Sequence, residues 1–209
     1  FKNNHYDAVV HLAGSLKVEE SVKNPFLYYK NNTEKTLNFV NYLSKSKCRN
    51  LIFSSTASVY DSTPNGKADE KAKLNPCHPY GHSKLMCERI IQDIAKISKL
   101  KYFILRYFNV AGADYLGRAG QMSQNATHLI KVCIECAVKK RPFLEVYGND
   151  YATYDGTCLR DYIHISDLIS GHSIALHHLI NGGKSDICNL GYGKAISVLD
   201  IVKTVKKIS

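Results

Sequence analysis

No stretch of this chain stays apolar for the roughly 20 residues that a helix needs to cross a bilayer, so no membrane partner is expected. No signal-peptide pattern is visible at its start. No block of about five or six like charges occurs, and no basic stripe interleaved with aromatics, although the net charge is +10. The lysines fall singly, as at Lys2, Lys17, Lys23, Lys30 and Lys35, so nucleic-acid binding has only net charge in its favour and is not expected. A basic chain also suits a small anionic substrate such as a nucleotide. No second ligand pair stands near Cys133-x-x-Cys136, which lies within the helical pattern "HLIKVCIECAVKK". Packing positions are expected there rather than zinc or redox chemistry, and no metal site is expected. The seven cysteines are an odd count without a secretory signal, which reads as reduced thiols in the cytoplasm. Internal repeats and low-complexity tracts are absent as well. What is present, 44% apolar and 22% charged residues over 209 positions, is the makeup of a globular protein with one large domain or two small ones.

Short apolar runs alternate with helical periodicity through the first half. "YDAVVHLAG" (6–14), "NLIFSST" (50–56) and "KYFILRYFNVAG" (101–112) read as buried strands. Between them, 21–46 and 80–98 carry apolar residues at helical spacing, the second with Leu85, Met86, Ile90, Ile91, Ile94 and Ile97. A polar loop containing Pro and Gly covers 61–79. The strands are continuous apolar runs rather than alternating ones, which predicts a parallel sheet covered on both faces. Ligands of such sheets bind beyond the carboxyl ends of the strands. The second half is less regular. Helices are expected over 126–140, 164–180 and 197–209, and strands over 142–148 and 185–193.

Two residues stand out in "HPYGHSK" (78–84). Tyr80 and Lys84 are four apart and share a helix face. Taken alone, the pair is more often an ordinary helix surface. Its surroundings change that. "VVHLAG", "SLKVEESVKNPFLYYKNN", "FSSTASVY", "HPYGHSKLMCE", "LRYFNVAGA", "YGNDYATYDGTCLRDYIHISDL" and "NLGYGKAISVLD" together resemble the UDP-glucose 4-epimerases of the extended short-chain dehydrogenase/reductase superfamily. The segments follow in family order and cover almost the whole chain. "DGTCLRDYIHISDL" is the most discriminating, because it resembles the nucleotide-sugar side of such a site.

The resemblance implies an α/β fold. Residues 1–108 would form part of a Rossmann-like, doubly wound parallel sheet that binds NAD. Residues 109–209 would form a smaller mixed α/β region for the nucleotide sugar, with 164–190 returning to the sheet. It also implies a mechanism. Tyr80 removes the proton from the sugar 4-OH while NAD takes hydride from C4. The 4-keto intermediate turns over in the site, and hydride returns to the opposite face, so that UDP-glucose and UDP-galactose interconvert. A free tyrosine, with a pKa near ~10, is a poor base at neutral pH. The Lys84 ammonium and the positive charge of oxidised nicotinamide are expected to favour its phenolate. Thr56 would hydrogen-bond the same sugar hydroxyl.

Other roles carry over position by position. Ala13 and Gly14 resemble the turn where backbone passes under the cofactor, Asn31 a contact near its ribose, and Ser54 a cofactor-side hydroxyl. Tyr107 and Phe108 would lie against nicotinamide or sugar, with core packing as the alternative. Asn109 and Arg160 resemble binders of the sugar diphosphate, the arginine through its fixed guanidinium fork. His128 matches a position that faces substrate, although an ordinary residue at a helix start reads equally well. Tyr147 would flank the uridine. Asp161 and His164 are expected to organise their loop and cap the next helix, and His177 and His178 to sit on a helix surface. Full-length relatives of this kind often form homodimers through helices corresponding to 21–46 and to the Tyr80 helix.

Two departures from the family pattern stand out. Leu16 occupies a position near the cofactor that is lysine in some family members. In addition, no G-x-x-G-x-x-G follows an N-terminal strand, and no acidic ribose-binding residue lies about 20 positions on. With Phe1 in place of Met and a last helix that breaks off, the chain reads as a fragment of a longer protein, unstable or inactive alone. Alternatives stay open: another UDP-sugar 4-epimerase acting on UDP-glucuronate, a UDP-pentose or a UDP-N-acetylhexosamine, or a non-catalytic dinucleotide-binding protein. A 4,6-dehydratase is disfavoured, because "SSTASVY" carries no acid after the strand-end hydroxyls.

Overall fold

The computed structural model describes residues 5–60, 66–123 and 126–209. The chain divides into two compact units, one of residues 1–107 with 169–190 and one of residues 108–168 with 191–209.

The first unit is built on a four-stranded parallel sheet of β1 (Val9–His11), β2 (Asn50–Thr56), β3 (Lys101–Tyr107) and β6 (Asp186–Leu190), in that spatial order. Its pleat sends alternate residues to opposite faces. Leu51, Phe53 and Ile104 pack with Val40 and Leu43 of α3 (Lys35–Ser44) and with Cys87 and Ile91 of α4 (Pro79–Lys96). Ile52 and Leu105 pack with Ala175 and Leu179 of α6 (Ile165–Ile180). Both faces are therefore covered, which is why Leu51–Phe53 of β2 reads as an unbroken apolar run. Each Leu, Ile, Val or Phe among them contributes about 1.5–3 kcal/mol by burial.

The expected single helix over 21–46 is three segments joined by a wide turn. α1 (Val18–Lys23) ends at Asn24, whose side chain caps α2 (Pro25–Tyr28) by accepting from Leu27 N at 3.2 Å. Pro25 lacks an N–H and fits the first position of the new helix. A π-helical stretch then covers Tyr29–Glu34 and runs into α3. Along α3, Val40 and Leu43 are buried, while Leu37 and Tyr42 are exposed. α4 begins as expected, with Pro79 at its start and His78 as N-cap, the imidazole Nδ1 accepting from Gly81 N at 3.1 Å. The expected loop before it lies partly outside the described residues, at 61–65. Its remainder makes a bridge between Tyr60 and Leu74.

The second unit holds a three-stranded mixed sheet, with β4 (Asn109–Ala111) parallel to β5 (Leu159–His164) and β5 antiparallel to β7 (Ala195–Ser197). The strand expected over 101–112 thus stops at Tyr107, and Asn109–Ala111 joins a different sheet. The strand expected over 142–148 does not form. That segment has no regular structure, and Phe143, Val146 and Tyr147 are exposed, so its apolar residues have no sheet face to fill. α5 (Leu129–Ala137) and α7 (Val198–Ile208) complete the unit. Ser197 caps α7 by accepting from Asp200 N at 2.9 Å. Cys133 is buried on α5 and Cys136 half-buried. Among the described residues no helix is long and apolar enough to cross a membrane, and no group of three or more His, Cys, Asp or Glu is placed to hold a metal ion.

Candidate active site

The carboxyl end of β2 and the first three turns of α4 bring together a cluster of polar groups. Positions 80, 84 and 88 fall on one helix face. Each meets one of the last three residues of β2. The Tyr80 phenol lies beside the Thr56 hydroxyl, which opposes the rise of its pKa. Lys84 Nζ donates to the Ser54 carbonyl at 2.7 Å. Glu88 Oε1 accepts from Ser55 Oγ. Thr56 Oγ1 also accepts from Ser58 N at 3.1 Å, which fixes the hydroxyl as the strand turns into a short 3-10 segment at Ala57–Val59.

Tyr80 is held between two other rings. His78 stacks on it with ring centroids 5.9 Å apart, and Tyr28 meets it edge-on at 6.4 Å. Tyr28 is wholly buried, and its hydroxyl donates to Lys17 O at 2.6 Å and reaches Glu20 Oε2 at 2.8 Å. Lys84 is only 5% exposed. Its ammonium lies 4.7 Å above the Phe53 ring centroid. Among the described residues it makes the one hydrogen bond to Ser54 O, which leaves two of its three N–H donors for other oxygens.

Burial dominates the electrostatics. It raises the Tyr80 phenol above its ordinary value, an effect the Thr56 hydroxyl only partly opposes. It lowers Lys84. It also lowers His11 to about 4, with the charge of Lys84 adding to the effect, so that His11 is a neutral imidazole at pH 7. The expected lowering of Tyr80 by Lys84 is therefore not what the fold alone supplies. The ammonium is turned toward the Ser54 carbonyl, and desolvation decides the phenol.

The turn after β1 is fastened beside Lys84. Ser15 N donates to Asn32 Oδ1 at 2.7 Å, Asn32 Nδ2 donates to Ser15 O at 3.0 Å and to Ser83 Oγ at 3.0 Å, and Asn31 Nδ2 donates to Ser15 Oγ at 2.8 Å. Two successive asparagines reach one turn because the π-helical stretch around them widens the helix there; such stretches are frequent at functional sites. Ala13 and Gly14 are exposed. A Cβ at Gly14 would stand 3.1 Å from Asn32 Oδ1 and 3.7 Å from Lys84 Nζ, so the glycine leaves open the space over the ammonium. Ser54 Oγ meets the Tyr107 hydroxyl, and the Tyr107 ring lies 5.8 Å from that of His172.

Sequence reasoning named Tyr80, Lys84, Thr56, Ser54, Ala13, Gly14 and Asn31, and all lie in this unit. It missed Asn32, Tyr28, His78, Glu88 and Arg106. Asn32 had a signal, a second amide beside Asn31. Arg106 had one too, a charge inside the apolar run "FILRY".

Asn109, Arg160, Phe108, His128, Tyr147, Asp161 and His164 belong to the second unit, and Tyr107, His177 and His178 to the first. Asn109 on β4 and Arg160 on β5 are exposed and lie on neighbouring strands, with Asn109 in register with Tyr162. Among the described residues, the Arg160 guanidinium donates to its own neighbour, Leu159 O, at 2.9 Å. Phe108 is half-buried beside Gly191. His128 is exposed at the N-terminus of α5 and makes no side-chain cap bond. Tyr147 is exposed and its hydroxyl donates to Glu145 at 2.6 Å. Asp161 accepts from Tyr192 N at 3.1 Å and Gly193 N at 2.8 Å, and His164 Nδ1 accepts from Ser166 N at 3.2 Å, the loop-organising and capping roles expected of them. His177 and His178 lie on the surface of α6.

Comparison with known proteins adds to this geometry. The chain is 46% identical over its whole length to a UDP-glucose 4-epimerase of Azospirillum brasilense and spans 60% of that relative. Its fold matches that of a UDP-glucose 4-epimerase from Brucella ovis solved with NAD, with a TM-score of 0.93 at 40% identity, over 96% of this chain and 62% of that one. A UDP-Glc/GlcNAc 4-epimerase from Campylobacter jejuni matches with a TM-score of 0.81 at 43% identity, over 97% of this chain and 62% of that one. Residues 1–191 match the model of the NAD dependent epimerase/dehydratase family, and the chain belongs to that family.

Proposed function

We propose that the chain serves NAD-dependent interconversion of UDP-glucose and UDP-galactose, with Tyr80 as the general base at the sugar 4-OH. The observation that carries the reading is the joint placement of Tyr80, Thr56 and Lys84 at the end of β2. Thr56 holds the phenol in position to share the proton of a sugar hydroxyl. Lys84 would spend its two remaining donors on ligand oxygens such as ribose hydroxyls. Gly14, which leaves the space above Lys84 open, fits a dinucleotide passing over that turn. Bound NAD would supply the hydride acceptor at C4 and a positive ring charge that lowers the Tyr80 phenol from its raised value. Arg160, Asn109, His128, Tyr147 and Phe108 would face the nucleotide sugar.

The sugar has a second reading. The Campylobacter jejuni neighbour is named for both UDP-Glc and UDP-GlcNAc, so a UDP-N-acetylhexosamine is the alternative substrate. A homodimer through the segments 18–44 and 79–96 belongs to the same proposal, as Val22, Phe26, Leu37, Tyr42 and Met86 are exposed there. So does a cytoplasmic setting, which suits seven free cysteines. The test is incubation of the full-length protein, purified without added cofactor, with UDP-galactose. UDP-glucose should form, and Tyr80→Phe should abolish it. A folded protein that holds NAD and converts only UDP-N-acetylglucosamine would move the assignment to that sugar. One that binds neither NAD nor a UDP-sugar would be a non-catalytic protein.

A further inference from the structure

Below the Tyr80–Lys84 pair lies a buried polar row that the proposed chemistry does not use. Ser55 on β2, Arg106 on β3 and Asn189 on β6 are register partners across three adjacent strands. Glu88, wholly buried on α4, spans the first two. It accepts from Ser55 Oγ, from Arg106 Nε at 3.0 Å and from Arg106 Nη2 at 2.5 Å. Arg106, 2% exposed, donates through Nη1 to the Tyr60 hydroxyl at 2.9 Å, and that hydroxyl donates to Asn189 Oδ1 at 2.7 Å. Asn189 in turn holds the segment before α4, by donating through Nδ2 to Ala68 O at 3.1 Å and through its backbone N to Glu70 Oε1 at 2.8 Å.

A buried ion pair is a poor device for stability alone, since well-packed apolar residues of similar size serve as well or better. It is a good device for register, because a helix sliding along the sheet would strand both charges. We propose that Glu88 is a positioning residue. By gripping Ser55 and Arg106 together it fixes the rise and rotation of α4 on the sheet, and so sets Tyr80 against Thr56 and Lys84 against Ser54. The proposal rests on the epimerase reading for its kinetic consequence, though not for the geometry.

The discriminating variant is Ser55→Ala in the full-length protein. It removes the Glu88 grip on β2 yet keeps Glu88 paired with Arg106, so no buried charge is left alone. The expected result is a fall in kcat of about 10-fold with the KM for UDP-galactose nearly unchanged, since small misplacements of catalytic groups cost rate rather than binding. The Tyr80 phenol, read by ultraviolet difference titration of each protein against its own Tyr80→Phe counterpart, should titrate higher as it loses alignment with Thr56. Glu88→Gln should do the same more strongly if it folds. A Ser55→Ala protein with the parental kcat and an unmoved Tyr80 titration would overturn the proposal. The titration needs no turnover. A parent protein that epimerises no UDP-sugar would therefore sink the epimerase reading, while the Tyr80 comparison still decides whether Glu88 sets the register.

Discussion

The two units of the molecule hold their candidate residues in opposite ways. In the first, Lys84, Glu88, Ser55, Arg106 and Asn32 are buried, and each is bonded to a residue far away in sequence. In the second, Arg160, Asn109, His128 and Tyr147 are exposed, and the Arg160 guanidinium bonds the carbonyl of its own neighbour, Leu159. Under the proposed function, chemistry would be built on preorganised groups between regular elements, and recognition on exposed side chains. Preorganisation lowers the reorganisation needed in the transition state, and an exposed arginine keeps its fork free for a diphosphate.

Variants can break this contrast from either side. Tyr80→Phe should have the largest effect, a loss of about 10³-fold or more in kcat with little change in stability, because the proposed general base is lost while the ring stays packed between His78 and Tyr28. Steady-state kinetics and a thermal melt check both halves. Lys84→Met should come next, with kcat down by about 10²-fold and stability equal or higher, since a desolvated ammonium gives way to an apolar side chain of similar length. A Lys84→Met protein that is markedly less stable would show the ammonium to be structural. Arg160→Lys should act on the other side of the comparison. Its KM for the UDP-sugar should rise about 10-fold with kcat and melting temperature nearly unchanged, because the fork is lost while an exposed position tolerates the swap.

How much of this could be read from the sequence follows the same division. The strands 50–56 and 101–107 were legible because both faces are buried, and α4 because its apolar stripe packs on the sheet. Tyr80, Lys84 and Thr56 were legible by resemblance and spacing together. The π-helical stretch was not. Its effect is to bring Asn32 to Ser15, and nothing in local apolar spacing distinguishes a wide turn from an ordinary one. The break at Asn24–Pro25 was legible in principle, since proline marks a helix start as often as it ends one. β4 and β7 are three residues each and carry no periodicity to read. "PFLEVYG" misled because β propensity reports a surface to pack against, and Phe143 and Val146 are exposed instead. The role of Glu88 needed the register of three strands, which no single segment encodes.

The smallest expected effect concerns a histidine that chemistry does not use. His11 lies on β1 with Nε2 3.0 Å from Thr36 Oγ1, its ring 5.2 Å from that of Phe39 and 5.6 Å from that of Phe53. Burial lowers its pKa from 6.5 to about 4, and Lys84 adds to the shift. The unfolded chain therefore takes up a proton at pH values where the folded chain does not. The stability tied to neutral His11 is fully present above pH 6.5 and is lost as pH falls from 6.5 toward 4. Urea midpoints measured across that window should fall less steeply for His11→Asn than for the parent, by close to one proton's worth of slope. Carboxylates that titrate in the same range act on both proteins alike and cancel in the difference. If His11→Asn and the parent gave the same slope, the first unit would not exclude water from β1, and the case for Lys84 as a desolvated ammonium beside it would weaken with it.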